Sequence, residues 1–257
     1  MVRIQEEMHI AYAGVSIVNA IPCGRGAVIP INLKAYAKEG SKNRDSPLIS
    51  AIEDYLYKKY NLKTTFQIFS EIPEGVGLKS SSAVSVAILS SIEEKTKVYP
   101  PLLSAIITKE YGLSITGAFD DAVSSYEGKI SFTDNLNLKI LKLIENPYDL
   151  NVIIVIKGRR NELNVKLMRE NCKFFDEAFK RGINGDIFGA IKINGYLMAK
   201  INNYETEILD YMIKKGAIAA GISGNGPSYF GLVKKGEEGP LLDHFEGFKI
   251  VLTQVVK

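Results

Sequence analysis

An α+β fold built from two units is what this sequence predicts, and three observations carry that prediction. Apolar residues alternate at period two through much of the first third and recur at helical spacing afterwards. A polar cluster, Glu145-Asn146-Pro147-Tyr148-Asp149, separates two apolar segments at a proline that bars helix continuation. Beyond it the pattern reads strand, helices, strand, strand, helix, strand, which is the split βαβ order of ferredoxin-like domains. A chain of 257 residues is long enough for two modest cores, expected here in units 1–146 and 147–257.

Taken in order, strands are expected over 8–13, 27–38 and 62–70; in the second, Ile29, Ile31, Leu33, Ala35 and Ala37 share one face. A helix over 47–60 opens on Pro47, whose fixed φ suits a first helical turn. The stretch 78–96 mixes Ala, Val, Ile and Leu with Ser and ends in Glu93, Glu94 and Lys95, so it reads as one mostly buried helix. Helices over 102–111 and 116–126 follow, separated by Gly112 and Gly117, and 129–144 reads as a strand pair. The second unit holds a strand over 150–157, helices over 162–181, 186–202 and 205–215, strands over 217–223 and 228–235, a helix over 240–246 and a strand over 249–255.

Composition narrows the function classes. At 46% apolar and 24% charged, the chain is neither disordered nor a collagen or disulfide scaffold. A net charge of +3 with interspersed lysines and glutamates does not build the clustered basic face that nucleic acid requires, so no nucleic-acid partner is expected. No apolar run approaches the roughly 18–20 residues that cross a bilayer, so no membrane span is expected either. Ala11-Tyr12-Ala13 mimics a signal-peptidase site, but Glu6, Glu7 and His9 stand where an apolar stretch should precede it, so the mature chain is expected to start near Met1. Cys23 and Cys172 are far apart, lack metal-ligand spacing and have only His9 and His244 to join them. Neither a zinc site nor a disulfide is expected from them, and a reducing cytoplasm is the expected location. Monomer and homodimer both stay open.

The most informative segment is Pro73-Glu74-Gly75-Val76-Gly77-Leu78-Lys79-Ser80-Ser81-Ser82-Ala83, a glycine-bearing turn that runs into three serines and an apolar helix. Gly75 and Gly77 let backbone N–H groups close on a bulky anion, and the helix start adds unpaired amides and the positive end of its dipole. Lys79 supplies a point charge, and the serine hydroxyls can bond phosphate oxygens or ligate a hard cation such as magnesium. The Walker pattern is excluded because Leu78 and Pro73 stand where it needs glycine; the dinucleotide pattern is excluded because Ser80 does. An ordinary serine-capped loop is the plain alternative, but three consecutive serines exceed what a cap needs.

This string resembles P-x-x-x-G-L-x-S-S, the nucleotide loop of the GHMP kinases. Within that superfamily the chain is most similar to the archaeal shikimate kinases, through Asn19-Ala20-Ile21, Gly24-Arg25-Gly26-Ala27, Gly77-Leu78-Lys79-Ser80-Ser81-Ser82 and Gly117-Ala118-Phe119-Asp120-Asp121-Ala122. The resemblance implies a ribosomal-protein-like amino-terminal domain, a ferredoxin-like carboxy-terminal domain, ATP and Mg2+ as cofactors, and phosphoryl transfer to the 3-hydroxyl of shikimate. It also implies that Asp120 is the catalytic base, that Ser81 ligates magnesium with Ser82 one register away, and that Glu110 is a second magnesium ligand.

Read from the residues alone, Asp120 and Asp121 sit in the opening turn of a helix that Thr116 can cap, where the dipole favours ionised acids. Adjacent helical positions point about 100° apart, so Asp121 is expected to support Asp120 at the acceptor rather than duplicate it. Glu110 reads equally as a solvated acid at a helix end. Gly221-Ile222-Ser223-Gly224-Asn225-Gly226-Pro227-Ser228 joins two strands with more glycine than a hairpin needs. The GHMP resemblance implies that this loop, with Ser223, Gly224 and Asn225, closes on the phosphate loop and the acceptor. A carboxylate acceptor needs a fixed cation, for which Arg159, Arg160 and Arg25 are the candidates among seven arginines, with Asn19 as a neutral partner. Another GHMP kinase, of homoserine or mevalonate type, and a non-catalytic nucleotide or RNA binder are the competing readings.

Overall fold

The computed structural model describes residues 8–245 and 247–257; the expectation about Met1 and the last residue of the helix expected over 240–246 fall outside them. The first part of the chain contains β1 (His9–Val18), β2 (Arg25–Glu39), α1 (Pro47–Tyr60), β3 (Phe66–Ser70), α2 (Ser80–Ser90), α3 (Glu93–Thr96), α4 (Pro100–Glu110), α5 (Phe119–Glu127), β4 (Ile130–Asp134) and β5 (Lys139–Ile144). The second contains β6 (Leu150–Ile156), α6 (Val165–Glu170), α7 (Cys172–Ile183), α8 (Ile187–Ile201), α9 (Thr206–Lys214), β7 (Ala219–Ile222), β8 (Ser228–Lys234), α10 (Gly239–His244) and β9 (Lys249–Gln254).

The first sheet runs β1-β2-β4-β5, with β3 also paired to β2. Its long strand β2 does not alternate as expected: it is buried without a break from Gly26 to Ile31 and again from Ala35 to Ala37, because it is covered on both faces there, and it pairs antiparallel with β1, β3 and β4. The second sheet runs β7-β8-β6-β9, every pair antiparallel. Between the sheets lies 145–149, where Asn146 Nδ2 donates to Val256 O at 2.6 Å. The end of the chain returns to the first sheet: Val255 bridges Ile31, and Val256 N donates to Pro30 O at 3.0 Å.

α1 begins as written in its sequence, with Ser46 accepting from Ile49 N and Pro47 in the first turn, and it ends on Asn61 in the left-handed region. α2 is buried at every residue from Ser82 to Ser90, because it packs on β1, β2, α4 and α5 at once. The single helix expected over 78–96 is in fact α2 and α3, with the break at Ser91, whose hydroxyl bonds back to Ile88 O at 2.7 Å. The helix expected over 162–181 likewise divides at Asn171, whose side chain donates to Leu167 O at 2.8 Å. Both breaks follow one rule: a short polar side chain competes with the next backbone bond of its own helix.

Cys23 and Cys172 form a disulfide, with their Cα atoms 5.3 Å apart. This overturns the expectation that they are unpaired. Their separation of 149 residues in sequence says nothing about space, and the turn after β1 packs on the start of α7. The argument from cysteine usage to a reducing compartment falls with it.

Candidate active site

Six loops and the starts of α1, α2 and α5 converge on one cleft of about 680 Å³. The loop 73–79 passes so close to the β7–β8 loop that neither has room for side chains there. Gly77 has φ +88°, and a Cβ on it would collide with the Ser223 carbonyl; one on Gly224 would stand 2.8 Å from Gly77 O. Ser223 Oγ donates to Gly77 O at 2.8 Å, and Gly224 N donates to Ser16 Oγ at 3.0 Å. Gly75, by contrast, has φ +73° and nothing within 4 Å of a notional Cβ, so its backbone borders open space.

The helix start itself differs from a serine cap. Lys79 is the N-cap of α2, in the left-handed region at φ 66°, and no side chain caps the helix. The first-turn serines are thereby left to face a ligand, and all three line the cleft. α5 begins the same way. Its N-cap is Ala118 at φ 49°, not Thr116, which instead accepts from Ala118 N at 3.3 Å. A non-glycine residue held in that conformation at each of two facing helix starts is the kind of local strain that tertiary structure has to impose.

Asp120 is 4% exposed and lines the cleft. Its Oδ1 accepts from Asn135 Nδ2 at 2.7 Å, its amide donates to Asn135 Oδ1 at 3.2 Å, and its carbonyl accepts from Ser131 Oγ at 3.0 Å. Its Oδ2 rests against Gly26 on β2, where a Cβ would collide with it. Asp121 Oδ1 lies 2.7 Å from Lys79 Nζ, and both side chains are largely buried. The contact is a buried ion pair. Burial pushes the Asp121 carboxyl up to about 7, the Asp120 charge adds to the rise, and Lys79 opposes it.

Among the residues singled out in the sequence, Pro73, Glu74, Gly75, Gly77, Leu78, Lys79, Ser80, Ser81, Ser82, Asn19, Asp120, Asp121, Arg160, Gly224 and Asn225 line this cleft. Val76 and Ala83 do not; they pack against the core. Glu74 pairs with Arg44, and Asn19 spends both amide hydrogens on Gly224 O and Asn225 Oδ1. Arg160 reaches from the β6–α6 loop to Gly226 O and Gly75 O, both at 3.4 Å. Four residues stand apart. Arg25 pairs with Asp176 and lies 5.3 Å from the Phe179 ring, Arg159 is exposed outside the cleft, Ser223 is fully buried behind it, and Glu110 is exposed at the end of α4. From α4 it is Thr108, two residues before the end, that reaches the cleft.

The sequence reading missed the far end of the cleft, formed by Ser46, Pro47, Leu48 and Ile49 at the start of α1 with Leu113 to Thr116 opposite. It missed Asn135 and Gly26 as well. Gly26 carried a signal, the repeated glycine of Gly24-Arg25-Gly26; Asn135 carried none.

The GHMP kinases N terminal domain family matches residues 47–129, and the GHMP kinases C terminal family matches residues 204–243. A shikimate kinase of Pyrococcus furiosus is 32% identical over 249 residues, covering 88% of this chain and 90% of its own. The chain belongs to the GHMP kinases. A shikimate kinase of Methanosarcina mazei is also 32% identical, over 87% of this chain and 84% of its own. In fold the kinase is similar to the crystal structure of the Methanococcus jannaschii mevalonate kinase, with a TM-score of 0.71 over 97% of this chain and 98% of that one. At 16% identity that likeness speaks for the fold alone.

As a member of this family the kinase uses ATP as phosphoryl donor, usually with magnesium. The donor set fits a hard cation: hydroxyls at the first turn of α2 and two carboxylates at the first turn of α5 share one cleft. Among the described residues no three His, Cys, Asp or Glu cluster as a ready-made protein cage.

Proposed function

We propose that this kinase transfers the γ-phosphoryl group of ATP to the 3-hydroxyl of shikimate, giving 3-phosphoshikimate and ADP. The observation that carries the reading is the placement of Asp120, buried and doubly bonded to Asn135, in the same cleft as the serine-rich start of α2. The shikimate kinases among its relatives supply the acceptor.

The triphosphate lies along Gly75 to Ser82, where loop amides and the α2 dipole meet its charge. Lys79 adds a cation, and Ser81 would hold magnesium, which supplies further positive charge to the phosphoryl oxygens when bound. Glu110 is outside the cleft, so water and triphosphate oxygens would complete the shell. Asp120 orients the acceptor hydroxyl in line and takes its proton as the new O–P bond forms and the bond to ADP breaks. Of the three arginines singled out in the sequence, Arg160 alone lines the cleft, which supports it as the one that grips the acceptor carboxylate; Arg25 is paired with Asp176 and Arg159 stands outside. A cytoplasmic setting belongs to the same proposal; the disulfide does not oppose it, because intracellular proteins of heat-adapted archaea also carry disulfides.

ADP release measured with magnesium and ATP against shikimate, homoserine and mevalonate in parallel tests the reading. Turnover with shikimate alone is expected, falling by about 10²-fold or more in Asp120→Asn with ATP affinity kept. Turnover with mevalonate or homoserine but not shikimate would overturn the acceptor. An undiminished rate in Asp120→Asn would remove Asp120 from the mechanism.

A further inference from the structure

We propose that Asn135 is the positioning residue that sets the Asp120 carboxylate, an inference that rests on Asp120 being the base. Asn135 follows β4, is 1% exposed and is absent from the cleft wall. Its own backbone is pinned by a 2.7 Å bond from Asn135 N to Gly24 O. The residue cannot touch the acceptor, so whatever it does for the reaction passes through its partners.

The orientation of its amide is decided by chemistry. The backbone amide of Asp120 can only donate, so the atom facing it at 3.2 Å must be the Asn135 oxygen. That oxygen also accepts from Thr133 Oγ1 at 2.7 Å. The NH2 group is therefore turned to the carboxylate, giving one hydrogen to Asp120 Oδ1 at 2.7 Å and the other to Thr116 Oγ1 at 3.4 Å. Every hydrogen-bonding position of the side chain is used. An amide that holds both the main chain and the carboxyl group of one aspartate fixes its χ1, and with Gly26 closing the other side the carboxylate has one place to stand.

The geometry also explains why asparagine is needed. Aspartate at 135 would set a second acceptor against the carboxylate, and leucine would leave the Asp120 amide and the Thr133 hydroxyl buried and unbonded. Through Thr116, which accepts from Ala118 N, the same amide steadies the left-handed turn that aims α5 into the cleft.

A double-variant cycle in the full chain tests this. Asn135→Ala should lower kcat by about 10- to 100-fold, with KM for ATP and for shikimate within about 3-fold, because misplacing one reacting group by an ångström costs about that much. In an Asp120→Asn background the same change should cost less than about 2-fold, because the group it positions is already gone. An equal loss in both backgrounds, or an unchanged kcat, would overturn the assignment. Should Asn135→Ala fail to fold, Thr133→Val removes only the bond behind the amide. It should reproduce the same background-dependent loss at about 3- to 10-fold, and an unchanged kcat there would be equally fatal. A rate undiminished in Asp120→Asn alone fails the proposed base instead, so the two failures are told apart.

Discussion

Gly26→Ala asks one methyl group to share the space of the Asp120 carboxylate, the proposed base. Gly26 sits in β2 opposite Thr133, and its φ is not positive, so alanine meets no backbone strain there. The new Cβ would stand 2.5 Å from Asp120 Cγ and 2.9 Å from Ala20 Cβ. Carbon atoms rest at about 3.5–4.0 Å, so the carboxyl group must retreat by about 1 Å or more. Its retreat is blocked by Asn135 at 2.7 Å, and moving it breaks that bond. A displacement of that size costs about 10²-fold in rate, or about 2.7 kcal/mol at 1.36 kcal/mol per decade. Overpacking costs about 1–3 kcal/mol of stability as well. Coupled ADP release should show kcat lowered by about two decades, while calorimetric ATP affinity stays within about 3-fold and thermal unfolding remains cooperative. A folded variant that keeps kcat within about 3-fold of the parent would refute the geometry around Asp120.

Three further outcomes rest on the same structure. Asp121 titrates above its ordinary 3.8 in the folded chain, so the folded state holds that proton more tightly than the unfolded state. Its contribution to stability is therefore full below 3.8 and declines as pH rises toward about 7; Asp121→Asn should flatten the thermal midpoint across that window. If ATP draws Lys79 away from Asp121, binding near pH 7 takes up a fraction of a proton, read as a calorimetric enthalpy that rises with buffer ionisation enthalpy. No uptake would mean that Lys79 stays on Asp121. Cys172→Ser opens a constraint spanning 149 residues, for which chain entropy allows up to about 5 kcal/mol. A fall of about 5–15 °C in the thermal midpoint is expected, matched by reducing the parent. A midpoint that neither change moves would show that the two sulfurs are not joined in solution.

Local chemistry made much of the site readable. The loop 73–83 announces itself because closing backbone on an anion demands glycine and an uncapped helix start, and those demands fall on adjacent residues. Asp120 and Asp121 were legible as a helix-opening pair, and α1 could be bounded to the residue because its cap, its proline and its last turn are all local. The helix divisions at Ser91 and Asn171 were harder. A serine or asparagine inside an apolar pattern breaks a helix only when its side chain turns back on the backbone, and packing decides that.

What the linear chain determined by itself is the glycine-and-serine turn running into α2, the α+β order of its elements and the presence of an acid at a helix start, since each depends on neighbours a few bonds away. Only the tertiary structure decided that Arg160, and neither Arg25 nor Arg159, reaches the cleft, that Glu110 lies outside it, that Cys23 meets Cys172, and that Asn135 and Gly26 trap Asp120 between them. Those are meetings of residues distant along the chain, brought about by the burial of two sheets and their helices, and no periodicity records them.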